Sequence, residues 1–486
     1  MVNNVINTEN TRSTLSADNE LFSAHSNIHE SGISIDQFIN QPAIQLAENQ
    51  FLKTQSHTES NARSYPRSFP IAIKKAQGVF VQDTEDQIFI DCLAGAGTFA
   101  LGHNHPDVVN AVTEYISTGG PWQTLDITSP AKNNFVSEVY KILPDEFSQS
   151  AKLQFCGPAG TDAMEAAIKL AKITTGRSGI WSFSGAYHGM TNGTLALMGN
   201  INTKSPVPGL MADVQFMPFP YEYRCPFGLT GAESIKANLN YLEHQLSDQH
   251  SGTPLPAAIV VEAIQGEGGV IPAPKEWLQG LREITERHGV LLILDEIQCG
   301  IGRSGDMFAF EIADINPDVI AMSKAVGGGL PMALIAYHEK LDQWKPGAHT
   351  GTFRGNQLAM ISGAKTLKIL RETNLIESVK EKGQFLLESL HNLKSDCDFI
   401  GDIRGRGLMI GIEIVDTQSA GKSKAPNPEL ATKIQQQCLQ QGLILETGGR
   451  SGATIRFLPP LNISQEELKT VTNIFISSVA EVMRKM

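Results

Sequence analysis

Cysteine is scarce and unpatterned. Six residues (Cys92, Cys156, Cys225, Cys299, Cys397 and Cys438) are spread over 486 positions with no CxxC pair. That excludes a disulfide-dense scaffold and points to reduced thiols in a cytoplasmic protein. Positive charge is also short: 39 Lys and Arg face 51 Asp and Glu, a net charge of −12. Nucleic acid and anionic membrane select basic patches, so neither is expected as a partner. Small anionic substrates stay open, because a few local arginines decide that binding. No apolar run approaches the roughly 20 residues that span a bilayer. The opening stretch, Met1–Asn10, lacks the basic and apolar regions of a signal peptide.

What is present is an ordinary globular chain. Hydrophobic residues make up 41% of it, enough for a large core over two or three domains. Residues 1–45 are rich in Asn, Ser, Thr and Glu, so a poorly ordered extension is expected there, with one short helix near Ile35–Ile39. Between residues 152 and 324 apolar runs alternate with helical patterns. Lys152–Cys156, Gly179–Phe183, Ala257–Glu262, Val290–Leu294 and Val319–Met322 read as strands; Asp162–Ile173 and Trp277–His288 read as helices. Such alternation implies an α/β fold with a mostly parallel sheet covered on both faces.

The flanks differ. Gly78–Asp91 reads as a hairpin with a polar turn. Beyond residue 360, Met409–Val415 and Gly442–Leu445 read as short strands around a helix capped by Asn427, with Pro428 in its first turn. Ser464 and Glu467 form a capping box before a final amphipathic helix. The expected division is a segment 46–105 contributing to a small α+β domain, a large domain 106–358, and a C-terminal small domain 359–486.

Lys324 ends one apolar run, just before Gly327-Gly-Gly329, and Asp295 ends another. Both fall at the carboxyl ends of buried parallel strands, where open α/β sheets bind ligands. A lysine and an aspartate meeting there suit pyridoxal phosphate: one forms the Schiff base, the other pairs with the pyridinium nitrogen. Taken singly, each also reads as a strand-end lysine facing water or a helix cap. Gly160-Thr161 opens a helix directly after a strand, a place where free N–H groups and the helix dipole favour a phosphate. Tyr187, in Tyr187-His188-Gly189, offers an aromatic face at another strand end. Glu262 and Glu267 follow a further strand among three glycines. Arg456 stands alone in an apolar segment and should be paired, with Glu267 as its natural partner.

Two patterns are set aside. Gly95-Ala-Gly97-Thr-Phe-Ala100 fits a lenient dinucleotide fingerprint, but Gly102-His-Asn-His-Pro106 breaks the helix it requires. His103 and His105 have no Cys or carboxylate cluster around them, so no metal is expected.

In order and spacing these residues resemble the class III (omega) aminotransferases, fold-type I pyridoxal-phosphate enzymes. The likeness runs from about Pro66 to the C-terminus and includes Asp295-Glu-Ile-Gln298, Ser323-Lys324 and Gly351-Thr352-Phe-Arg-Gly-Asn356. It implies that Lys324 carries the cofactor and shuttles the proton, and that Asp295 keeps the ring nitrogen protonated. Tyr187 and Ile297 would sandwich the ring beside His188, with Gln298 near its phenolic oxygen. Gly160 and Thr161 would bind the phosphate together with Thr352 of a neighbouring subunit, making a homodimer with shared active sites. Arg456 would bind the α-carboxylate of glutamate or 2-oxoglutarate, and Glu267 would neutralise it when an ω-amine enters.

Met190 departs from the 4-aminobutyrate enzymes, which carry an arginine at that place. With Asn61-Ala-Arg63-Ser-Tyr65-Pro-Arg67, it resembles the diaminobutyrate–2-oxoglutarate branch. The implied reaction moves the 4-amino group of L-2,4-diaminobutyrate to 2-oxoglutarate, giving L-aspartate 4-semialdehyde and glutamate. The alternative is another ω-aminotransferase, of the 4-aminobutyrate, acetylornithine or ectoine-pathway type. Mutases, racemases and decarboxylases on this fold need no second keto acid. A non-catalytic binding module conflicts with the presence of Lys324, Asp295 and Arg456. Arg63 and Tyr65 are the positional candidates for gripping the distal head of the amine.

Overall fold

The strand Leu291–Asp295 lies near the middle of a seven-stranded sheet. The spatial order is Ala151–Phe155, Leu334–His338, Val319–Met322, Leu291–Asp295, Ala258–Val261, Ile180–Phe183 and Val214–Met217. Its side chains alternate between two packed faces, as a pleated strand with period two requires. Leu292 and Leu294 join one core with Trp277, Leu278 and Leu281 from the helix Lys275–Arg287. Ile293 joins the other, with Met164, Ala167 and Leu170 from the helix Gly160–Thr175. Both faces are therefore covered by helices, the condition under which parallel strands read as unbroken apolar runs. This computed structural model describes residues 32–46, 48–421 and 423–485.

One strand breaks the parallel rule. Leu334–His338 runs antiparallel to both of its neighbours. The glycine cluster after Lys324 makes the reversal: Gly328 and Gly329 take positive φ, and the chain returns directly alongside Val319–Met322. Reading the sequence registered the glycines without the strand they produce.

Beside this layer lie a two-stranded ribbon, Ile264–Gln265 with Ile271–Pro272, and two four-stranded sheets. Ile400–Arg406, Met409–Ile414, Thr454–Phe457 and Glu446–Gly448 form an antiparallel set. The helix Pro428–Gln440, capped by Asn427 at 3.0 Å, and the helix Gln465–Arg484, opened by the Ser464–Glu467 capping box, accompany it. Leu443–Ile444 pairs elsewhere: it adds in parallel to Ile88–Asp91, completing a sheet with Ile73–Gln77 and Phe80–Asp83. The early hairpin and a late segment thus share one sheet.

Of the stretch 1–45, residues 1–31 lie outside the described residues, and the expectation of poor order does not extend to 32–45. There the helix Ile35–Ile39 buries Phe38, and the Gln41 amide both donates to and accepts from the Ile88 backbone at 2.8 Å. Ile33, Ile35 and Phe38 supply an apolar face that loose polar sequence lacks. Among the described residues no helix is long and apolar enough to cross a membrane.

Candidate active site

The carboxyl ends of the central strands open onto a cavity of about 260 Å³. Gly160, Thr161, Tyr187, His188, Met190, Glu267, Asp295, Ile297, Gln298 and Lys324, each expected from the sequence, line it together with Glu262 and Cys299. Thr352 does not: it is exposed in the short turn Thr352–Gly355. Arg456 stands behind Glu267 rather than on the surface of the cavity.

Lys324 begins a tight turn at φ 49°, the left-handed region that a lysine enters only at a cost. Burial pulls its ammonium below the ordinary lysine range, while Glu267 and Asp295 oppose that shift. Asp295 is fixed from two sides: one oxygen meets His188 Nδ1 at 2.7 Å, and the other accepts from the Ile297 N–H at 3.1 Å. Burial alone would depress His188, but the hydrogen bond and charge of Asp295 override it and hold His188 above its ordinary range. Glu262 completes the cluster. It accepts from the backbone N–H groups of Tyr187 and Gly266, and burial pushes its carboxyl up to about 7.

The opposite rim is the start of the helix Gly160–Thr175, whose N-terminus has no side-chain cap. The Gly157 N–H donates to the Asp162 carboxylate, which also meets His349 Nε2 at 3.3 Å, so the turn is braced from behind. Thr161 Oγ1 lies 2.8 Å from the Thr191 hydroxyl and 2.7 Å from that of Thr194. A Cβ on Gly160 would come within 3.0 Å of the Ile297 side chain. Gln298 donates to the Ala96 carbonyl at 3.1 Å, so the glycine-rich segment rejected as a dinucleotide site serves instead to hold this glutamine.

A flat anionic cofactor fits these residues. His188 Nε2 and Gln298 Oε1 are buried without partners, the uncapped helix start offers N–H groups, and a buried amine and carboxylate occupy one cavity. Pyridoxal phosphate uses each of these features.

Arg456 is fully buried on the strand Thr454–Phe457. Its Nη1 lies 2.9 Å from Glu267, as the lone-arginine argument requires, and its Nη2 lies 2.5 Å from Glu446, which sequence reasoning missed. A signal for Glu446 was available: a hairpin turning about Gly449–Gly452 places residue 446 directly across from 456. Tyr65 stands beside the same cluster, where its phenol and the Glu446 carboxylate act on each other. Arg63 does not. Its guanidinium turns back to the carbonyls of Glu59 and Ser60.

Comparison with known proteins agrees with this geometry. Residues 61–479 match the family described as Aminotransferase class-III. A diaminobutyrate–2-oxoglutarate aminotransferase of Rhizobium meliloti (strain 1021) is 49% identical over 90% of this chain and 94% of its own length. The protein of the same description from Haemophilus influenzae is 50% identical, covering 90% and 97%. Among solved structures, a PLP-bound amine transaminase from an uncultivated Pseudomonas species superposes with a TM-score of 0.78 at 25% identity, covering 91% of this chain and 100% of that one.

Proposed function

The chain belongs to the class-III aminotransferases, and we propose that within this family it exchanges the 4-amino group of L-2,4-diaminobutyrate with 2-oxoglutarate. The products are L-aspartate 4-semialdehyde and L-glutamate, formed reversibly in ping-pong order. The observation that carries the reading is the charge around the cavity. Arg456 is shared by two carboxylates, and among the described residues no arginine lines the cavity. A donor whose far end is only a carboxylate has no counter-ion there, and Met190 occupies the place where one would stand. The descriptions of the two relatives near 50% identity support the same donor.

Pyridoxal phosphate, when bound, supplies a protonated ring that withdraws electrons from the substrate carbon. Asp295 would hold the proton on the ring nitrogen, and His188 and the Ile297 N–H keep that carboxylate in place. The N–H groups of Gly160 and Thr161 would hold the phosphate, Tyr187 and Ile297 would bind against the ring, and Gln298 would serve its phenolic oxygen. Lys324 Nζ, whose neutral form burial favours, would move the proton from the carbon bearing the amino group to the cofactor within one half of the cycle and back in the reverse sense in the other. Arg456 pairs with Glu267 while the amine donor is bound and with the α-carboxylate of glutamate or 2-oxoglutarate in the second half. Its Nε and Nη1 lack aligned hydrogen bonds, which suits an exchangeable partner. Thr352 of the partner subunit completes the phosphate site in a homodimer, a role in keeping with its exposure on this chain. Six free cysteines suit a reducing cytoplasm.

The test is a set of single half-reactions, each followed by the change in cofactor absorbance. L-2,4-diaminobutyrate should convert the cofactor faster than 4-aminobutyrate or acetylornithine, and release of the second product should require 2-oxoglutarate. Faster conversion by 4-aminobutyrate would overturn the assignment.

A further inference from the structure

The surroundings of Arg456 contain one more carboxylate than an exchangeable arginine needs. Glu267 alone would neutralise the guanidinium, yet Glu446 meets it as well, across the hairpin that pairs the two residues. Tyr65 approaches Glu446 from a segment far away in the sequence, near enough for its phenol to act on that carboxylate. Burial first, then Glu446 and Glu267, raise the Tyr65 phenol well above its ordinary range, so it remains a neutral O–H donor. Burial and Glu267 also lift Glu446 above the usual carboxylate range, although Arg456 and Lys324 oppose the shift. With Lys324 taken up by the cofactor, two carboxylates against one guanidinium leave one surplus negative charge in a partly desolvated cluster. Such a charge is costly unless a cation completes it.

The donors differ in just this respect. Diaminobutyrate carries two ammonium groups and one carboxylate, 4-aminobutyrate one of each, and glutamate an excess of negative charge. Only the diamine balances the cluster. On the premise that diaminobutyrate is the donor, we infer that Glu446 forms a subsite for the second, non-reacting ammonium group of the substrate. Tyr65 is a positioning residue that aims the carboxylate, and Glu267 keeps Arg456 occupied meanwhile. The subsite admits donors by a carboxylate that reads an amine, where an arginine in place of Met190 would read a carboxylate.

Glu446→Gln in the cofactor-loaded enzyme removes the charge and keeps the shape. The measurement is the half-reaction rate with L-2,4-diaminobutyrate and with 4-aminobutyrate, each over a range of concentrations. The preference for the diamine should fall by about 100-fold in Glu446→Gln, carried by the apparent KM. Tyr65→Phe should lower the same preference by about 10-fold, since it removes one neutral hydroxyl donor and no charge. If both donors slow in parallel, or the preference survives in both variants, Glu446 is structural and the subsite is overturned. A normal enzyme that prefers 4-aminobutyrate would remove the donor assignment itself, and the subsite with it. An enzyme that prefers the diamine while both variants keep that preference removes the subsite alone.

Discussion

The cofactor wall draws Lys324, Asp295, Glu262 and Tyr187-His188 from the ends of neighbouring strands of one sheet, whereas the substrate wall gathers Tyr65, Glu267, Glu446 and Arg456 from four separate stretches. On the first wall both carboxylates are tied to backbone that the core fixes: Asp295 to the Ile297 N–H, Glu262 to those of Tyr187 and Gly266. On the second, ion pairs between side chains dominate, and the proposed cycle has them exchange partners without moving the sheet. A rigid half that serves every turnover and a re-pairing half that alternates between substrates are the division of labour that two-substrate chemistry demands.

The sharpest way to break this comparison is Lys324→Ala. Because one amine moves the proton in both halves of the cycle, both should slow by about 10,000-fold or more, read as loss of the absorbance change with either donor. A surviving half-reaction would mean that proton transfer belongs to another group.

Arg456→Ala tests the other wall and should split the halves. The glutamate half should lose about 2 to 5 kcal/mol of transition-state stabilisation, because a buried cation–carboxylate contact is removed. The diaminobutyrate half should lose much less, since Glu267 holds Arg456 away from that donor. Equal losses would erase the distinction between the walls.

The smallest effect concerns stability. Glu262 titrates near 7 in the folded protein against an ordinary 4.5, chiefly from burial. The folded state therefore binds the extra proton: the stabilisation is full below about pH 4.5 and is lost as pH rises through about 7. His188, raised by Asp295, shifts stability in the same direction. Glu262→Gln should flatten this slope, so that its stability relative to the parent protein rises by on the order of 2 to 3 kcal/mol between pH 5 and pH 8. Urea unfolding at the two pH values reads it, and an unchanged slope would place the ionised carboxylate comfortably in the core.

The same contrast explains what was legible in the sequence. The residues of the cofactor wall sit in contiguous motifs, each an apolar run with its first polar residue at the end, so local pattern sufficed for Asp295 and Lys324. Glu267–Arg456 was legible from the rule that a buried arginine needs a partner. Glu446 carries no local mark: in Leu445-Glu446-Thr447 it resembles any strand-edge carboxylate, and only the hairpin register gives it meaning. Tyr65 reaches the cluster through tertiary packing alone. The antiparallel Leu334–His338 escaped because alternating strands and helices led to the expectation of crossovers, and a glycine reversal needs none.

The pairing of Leu443–Ile444 with Ile88–Asp91 has a consequence for how the chain is made. The hairpin Phe80–Asp91 leaves the ribosome early with one edge open, and its parallel partner is synthesised only near the end. At about 5 to 20 residues per second, that edge waits on the order of tens of seconds. Over this interval an unpaired strand is a template for any other extended segment. Closure of this sheet is therefore a late event of biosynthesis, with a high loop-closure cost, and truncation before residue 443 would leave the hairpin permanently open.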